Sequence, residues 1–125
     1  MTALFSLLQQ LVALMMAIIS FLGLSNNKST VTVELYANPS SGYSWEYSTD
    51  RIDVLVLDDN RYIPDTSSIL SGGGGTQAFS FRAINSGTVN ITFRYVNQIT
   101  DNIASEYVYT YVVDDAMNIT LQSTQ

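Results

Sequence analysis

The 125-residue sequence contains no cysteine and no histidine. Their absence removes Ser/His/Asp and Cys/His catalysis, thiolate or imidazole zinc sites, disulfide frameworks and lipid attachment through a cysteine. Positive charge is nearly as scarce. Four Arg and a single Lys stand against 11 acidic side chains, for a formal charge of -6, so no basic face is available to a nucleic-acid backbone. Among the carboxylates, Asp50, Asp53, Asp58 and Asp59 are the remaining acid/base candidates, and nothing in their spacing sets two of them across a pocket. Asp58-Asp59-Asn60 and Asp114-Asp115 lack the repeating ligand pattern of a calcium loop and read as solvated acidic turns. No enzyme class, metal or cofactor is indicated, and a chain of this length holds one domain.

Charge is missing altogether from Met1 to Asn27, and the 14 residues Leu11 to Leu24 are nearly all apolar. That run falls short of the roughly 20 residues a spanning helix needs, and fits the core of a secretory signal peptide. Gly23 and Ser25 supply a small-x-small pattern for cleavage after Ser25, although no basic residue precedes the core. Residues 1–25 are therefore expected to be a helical signal peptide or an uncleaved anchor. Residues 26–125 would form one secreted or envelope domain, touching a membrane only through that segment.

After Asn26 the composition turns to Thr, Val, Tyr, Ser and Asn, and no stretch keeps a helical period. Val31, Val33 and Leu35 alternate with polar neighbours over Thr30 to Tyr36. Ile52 to Leu57 is a mostly aliphatic strand, and Phe79, Phe81 and Ala83 alternate again. Val89, Ile91 and Phe93 oppose Asn90, Thr92 and Arg94, and Tyr107, Tyr109 and Tyr111 line one side of Ser105 to Val113. Short strands at this spacing predict an all-β domain, an immunoglobulin-like antiparallel β-sandwich with Trp45, Phe79, Phe81 and Phe93 filling the space between its sheets. Asn90, on the outward face, heads an Asn-x-Thr glycosylation sequon.

Three connections carry more than turn punctuation. In Asn38-Pro39-Ser40-Ser41-Gly42-Tyr43, followed by Ser44-Trp45, proline sets one φ, Gly42 permits a positive φ, and the Asn38 side chain can bond the backbone two residues on. The result is a stiff loop, or ordinary turn chemistry. Gly72-Gly73-Gly74-Gly75-Thr76 lies in a long connection from about Asp58 to Gln77, where four glycines allow close backbone approach or merely a flexible linker. It is no phosphate cradle, having no lysine or helix after it. Arg94-Tyr95-Val96-Asn97 ends a strand with a cation and an aromatic, a pairing enriched at binding hot spots. In a Greek-key sandwich these three connections gather at one end.

Asn38 to Tyr43 with Trp45, followed by Gly72 to Thr76, resembles the chagasin family of cysteine-peptidase inhibitors, which carry an N-P-[ST]-[ST]-G-[YF]-x-W loop, a glycine-rich loop and an Arg-Pro-aromatic loop in that order. The similarity runs from about Thr30 to Val113. Two departures stand out: Arg94-Tyr95-Val96 replaces Arg-Pro-aromatic, and a mature chain beginning near Asn26 would lack the strand that family members place before Thr30 to Tyr36. Met117 to Leu121 has strand character and is expected to fill the vacant edge.

The resemblance implies a monomeric, reversible, non-covalent inhibitor whose partner is a papain-like cysteine peptidase. Ser40, Ser41 and Gly42 would lie nearest the target's nucleophile, with Asn38, Pro39 and Tyr43 completing that loop. Gly72, Gly73, Gly74, Gly75 and Thr76 would bond one rim of the cleft through the backbone, and Arg94 and Tyr95 the other. The alternative is a secreted adhesion or carbohydrate-binding module, with Tyr107, Tyr109 and Tyr111 as an exposed stacking platform.

Overall fold

A computed structural model of the chain describes residues 29–65 and 73–125. The expected signal peptide or anchor at 1–25 lies outside the described residues, as does Gly72. No helix among the described residues is long and apolar enough to cross a membrane.

Seven strands follow in order: β1 Thr30–Ala37, β2 Tyr43–Thr49, β3 Leu55–Pro64, β4 Gly75–Ala83, β5 Gly87–Asn97, β6 Ile103–Val113 and β7 Ile119–Thr124. They form two antiparallel sheets, ordered β1-β4-β3 and β2-β5-β6-β7. Period-two alternation dictates the packing. Val33, Leu35, Phe79 and Phe81 project from the smaller sheet onto Val89, Ile91, Phe93 and Tyr111 of the larger, and all are buried. Phe93 meets Phe79 and Phe81 at ring-centroid distances of 5.2 and 6.3 Å, which joins the two sheets at their centre. The all-β sandwich agrees with the alternation of the sequence. Trp45 packs against this core only half-buried, and its indole N–H donates to the Tyr36 carbonyl at 2.8 Å.

Two boundaries differ from expectation. Ile52 is not in a strand. Arg51 donates to both carboxylate oxygens of Asp53, at 3.0 and 2.8 Å, closing a turn that turns Ile52 outward and starts β3 only at Leu55. At its other end β3 continues through Asp58, Asp59 and Asn60 to Pro64, so those acidic residues are strand and not turn. Asp58 pairs with Arg82 and Asp59 with Arg61, both at 3.3 Å. Charge and a terminal proline are typical of an edge strand, which must stay solvated and resist further pairing. The connection between β3 and β4 is shorter than expected for the same reason.

β7 pairs with β6 and forms an edge of the larger sheet, with Ile119 opposite Val113. The C-terminal segment is thus a strand, and the edge it covers is that of β6. The outer edge of β1 carries no strand among the described residues.

Candidate functional site

The first loop is held largely by hydrogen bonds among its own residues. Asn38 caps a single 3-10 turn, Pro39–Ser41, and accepts through its side-chain oxygen from the Ser40 N–H at 3.2 Å and the Ser40 hydroxyl at 2.6 Å. The Ser41 N–H and hydroxyl both donate to the Asn38 carbonyl, at 3.0 and 2.6 Å. Gly42 ends the turn at φ 83°, a left-handed conformation that a side chain resists. Pro39, Ser40, Ser41 and Gly42 are exposed.

Behind this turn stands a column of rings. Tyr43 stacks on Tyr95 at 5.4 Å, and Trp45 lies 4.9 Å from Tyr95 and 5.8 Å from Tyr107. The Tyr95 hydroxyl accepts from the Asn38 N–H at 2.8 Å, so a β5 side chain holds the cap of the loop directly. A cleft of about 380 Å³ runs beside β1 beneath the loop, walled by Trp45, Tyr95, Tyr107 and Tyr109. Of these walls, Tyr95 is also the side chain that holds the turn.

The second connection reaches the same pole, because Ala37 at the end of β1 pairs with Gly75 at the start of β4. Gly73 is half-buried, whereas Gly74 and Gly75 are buried by their own protein. A Cβ on Gly74 would strike the Tyr36 ring; on Gly75 it would strike the backbone of Ile63 and Pro64. The close approach that these two glycines permit is to their own neighbours. Thr76 is half-buried within β4.

Arg94 and Tyr95 belong to the β5 strand and not to the loop that follows it. Arg94 lies on the outer face between Glu46 and Glu106 and pairs with Glu106 at 3.0 Å. The turn itself is 98–102, which sequence reasoning left without a candidate. The Asn97 side chain accepts from the N–H groups of Ile99 and Thr100 at 2.9 and 3.0 Å, and Asp101 adopts φ 61°. The Gln98 N–H donates to the Gly42 carbonyl at 3.0 Å, and the Asn102 amide to the Tyr43 hydroxyl at 3.2 Å. The first and third loops are therefore one hydrogen-bonded unit, whose sole charged side chain over 38–43 and 98–102 is Asp101. An isoleucine framed by Asn, Gln, Thr and Asp was the available signal.

The tyrosine platform is not exposed as a unit: Tyr111 is only 3% exposed, and burial pushes its phenol up to about 12. Tyr109 packs edge-on against Phe93. Asn90 is also committed, its amide donating to Asp50 at 2.8 Å and its oxygen accepting from the Thr110 hydroxyl at 2.6 Å.

The fold is a two-sheet β-sandwich that joins stiff, nearly uncharged loops at one pole. The model of the chagasin family peptidase inhibitors (I42) matches residues 25–113, and the chain belongs to that family. It is a peptidase inhibitor and not an enzyme. Among solved structures it is similar to the cysteine protease inhibitor EhICP2 from Entamoeba histolytica, with 20% identity and a TM-score of 0.60 over 70% of this chain and 81% of that one. It is also similar to amebosin, with 24% identity and a TM-score of 0.48 over 66% and 77% of the two chains. No curated protein matches its sequence.

Proposed function

We propose that the protein is a reversible, non-covalent inhibitor of papain-like cysteine peptidases, acting as a monomer outside the cytoplasm after export through residues 1–25. The observation that carries this reading is the exposed Pro39–Ser41 turn and Gly42, braced from behind by Tyr95 and from the side by the 98–102 turn, in a chain of this family. Its structural relative EhICP2 is a cysteine protease inhibitor, which agrees with that target class.

A preorganised loop loses little conformational entropy on docking. Ser40, Ser41 and Gly42 would cover the target nucleophile, with Asn38 holding the turn and Pro39 and Tyr43 flanking it. Gly72 and Gly73 would lie along one rim. Gly74, Gly75, Thr76, Arg94 and Tyr95 would act by support, since each is packed or paired within the sandwich. Inhibition needs no bond to the thiolate, because the wedge excludes substrate by occupancy.

The test is titration of a papain-type enzyme with the protein purified from an exporting host, whose mass should correspond to a chain beginning near Asn26. Inhibition should saturate and reverse on dilution. Gly42→Val, strained by a β-branched side chain at positive φ, should weaken it by at least about tenfold while the fold persists. Absence of inhibition by the unaltered protein would overturn the reading.

A further inference from the structure

We propose that Ile99 is the apolar anchor of the third contact with the target, taking over from the Arg-aromatic pair and selecting peptidases with an apolar depression on that rim of the cleft. The inference rests on the inhibitor reading above and assigns a residue that neither the motif nor the family match points to.

Three observations converge on it. Ile99 is 90% exposed, at the tip of the turn that follows β5. The turn is rigid: Asn97 bonds the Ile99 and Thr100 N–H groups, the Asn97 N–H donates to the Asn102 carbonyl at 2.8 Å, and the Asp101 N–H donates to the Asn97 carbonyl at 2.9 Å. It is also locked to the first loop through Gln98 to Gly42 and Asn102 to Tyr43, so Ile99 stands at a set offset from the Ser41-Gly42 tip. An isolated surface isoleucine means little by itself. Here the side chain is held beside the inhibitory loop by a turn with almost no freedom left to lose, and such apolar groups give affinity at low entropic cost.

Elimination points the same way. Arg94 pairs with Glu106 on the outer face of the sheet, and the Tyr95 hydroxyl accepts from the Asn38 N–H, so both are engaged within the sandwich. Between Asn97 and Ile103, Ile99 is the one apolar side chain that could enter a pocket.

The experiment compares inhibition constants of the exported protein and its variants against one papain-type enzyme. Ile99→Asp should raise the constant by about tenfold or more, as burying a charge in place of an apolar anchor demands, and Ile99→Val should stay within about threefold of the parent. Ile52 supplies the control: it is 89% exposed in the turn before β3, at the opposite pole, and Ile52→Asp should leave the constant unchanged. Thermal melts should be the same for all three, since neither isoleucine is packed. An unchanged constant for Ile99→Asp, with Gly42→Val still impaired, overturns the anchor while the inhibitor reading stands. An unaltered protein that fails to inhibit overturns both.

Discussion

Gly75 has no room for a side chain: a Cβ there would press into the Ile63 carbonyl oxygen and the Pro64 Cα, which are backbone atoms of the paired strand and cannot swing aside. At Gly74 the obstacle is the Tyr36 ring, 66% exposed and free to turn toward solvent. Gly75→Ala should therefore cost about 1–3 kcal/mol or more, and Gly74→Ala under about 1 kcal/mol. In a domain of this size that separates the two melting temperatures by several degrees. Equal shifts in a thermal melt would contradict the distinction. The glycine run was visible in the sequence, but not what approaches it. Tyr36 lies far from Gly74 along the chain and meets it only because β1 and β4 pair. Gly42 is the opposite case, since proline, serine, glycine and the Asn38 cap state their turn locally.

At the scale of elements, β7 shows how a short strand stabilises an edge. Ile119, 4% exposed, completes the core beside Val113 and Tyr111, and the strand hydrogen-bonds β6 through its paired positions. Removing Ala116 to Gln125 forfeits about 1.5–3 kcal/mol for Ile119 alone and reopens the β6 edge. A marked fall in melting temperature is expected for the truncated protein; an unchanged one would make β7 dispensable. Strands with one buried face were legible, because a period of two over Thr30 to Tyr36 or Val89 to Phe93 has a single physical reading. β3 was not. Its second half carries Asp58, Asp59, Asn60 and Arg61, which resemble a turn until the pairing with β4 supplies hydrogen bonds and cross-strand charge partners. Arg94-Tyr95-Val96-Asn97 does end a strand, but the hydrogen bonds of the 98–102 turn to Gly42 and Tyr43 join segments far apart in sequence and had no local signal.

Across the whole molecule the carboxylates lowered on folding gather at one pole. Asp50, Asp53 and Asp114 all lie at the pole opposite the Asn38–Gly42 turn. Asp50 is held below its ordinary 3.8 by the Asn90 backbone N–H and then by that residue's amide. Asp53 is lowered by the hydrogen bond from Arg51, and Asp114 by the Asn118 backbone N–H. A carboxylate lowered on folding contributes stability that is present above its unfolded value and lost as pH falls through the folded one. Tyr111 works in reverse: raised on folding from 10.0 to about 12, it contributes stability below 10 that fades as pH climbs toward 12. Thermal melts should thus show a plateau, with acid loss beginning below about 4 and alkaline loss above about 10. A melting temperature that rose on acidification through 3.8 would refute the assignment for the carboxylates.

Much of this protein was settled by neighbours in the chain. The absence of cysteine and histidine removed Ser/His/Asp and Cys/His catalysis, thiolate or imidazole zinc sites and disulfides, alternation set which side chains enter the core, and the Asn38-to-Gly42 turn carries its geometry in adjacent residues. Only the tertiary structure decided where loops far apart in sequence meet, that Gly74 and Gly75 lie beneath their own chain, that Tyr95 holds the first loop, and that Ile99 stands beside it. A turn or a strand face is specified over a few residues by local sterics and periodicity. Register and edge order arise from pairing between segments tens of residues apart, and those pairings are chosen by the packing of the whole sandwich.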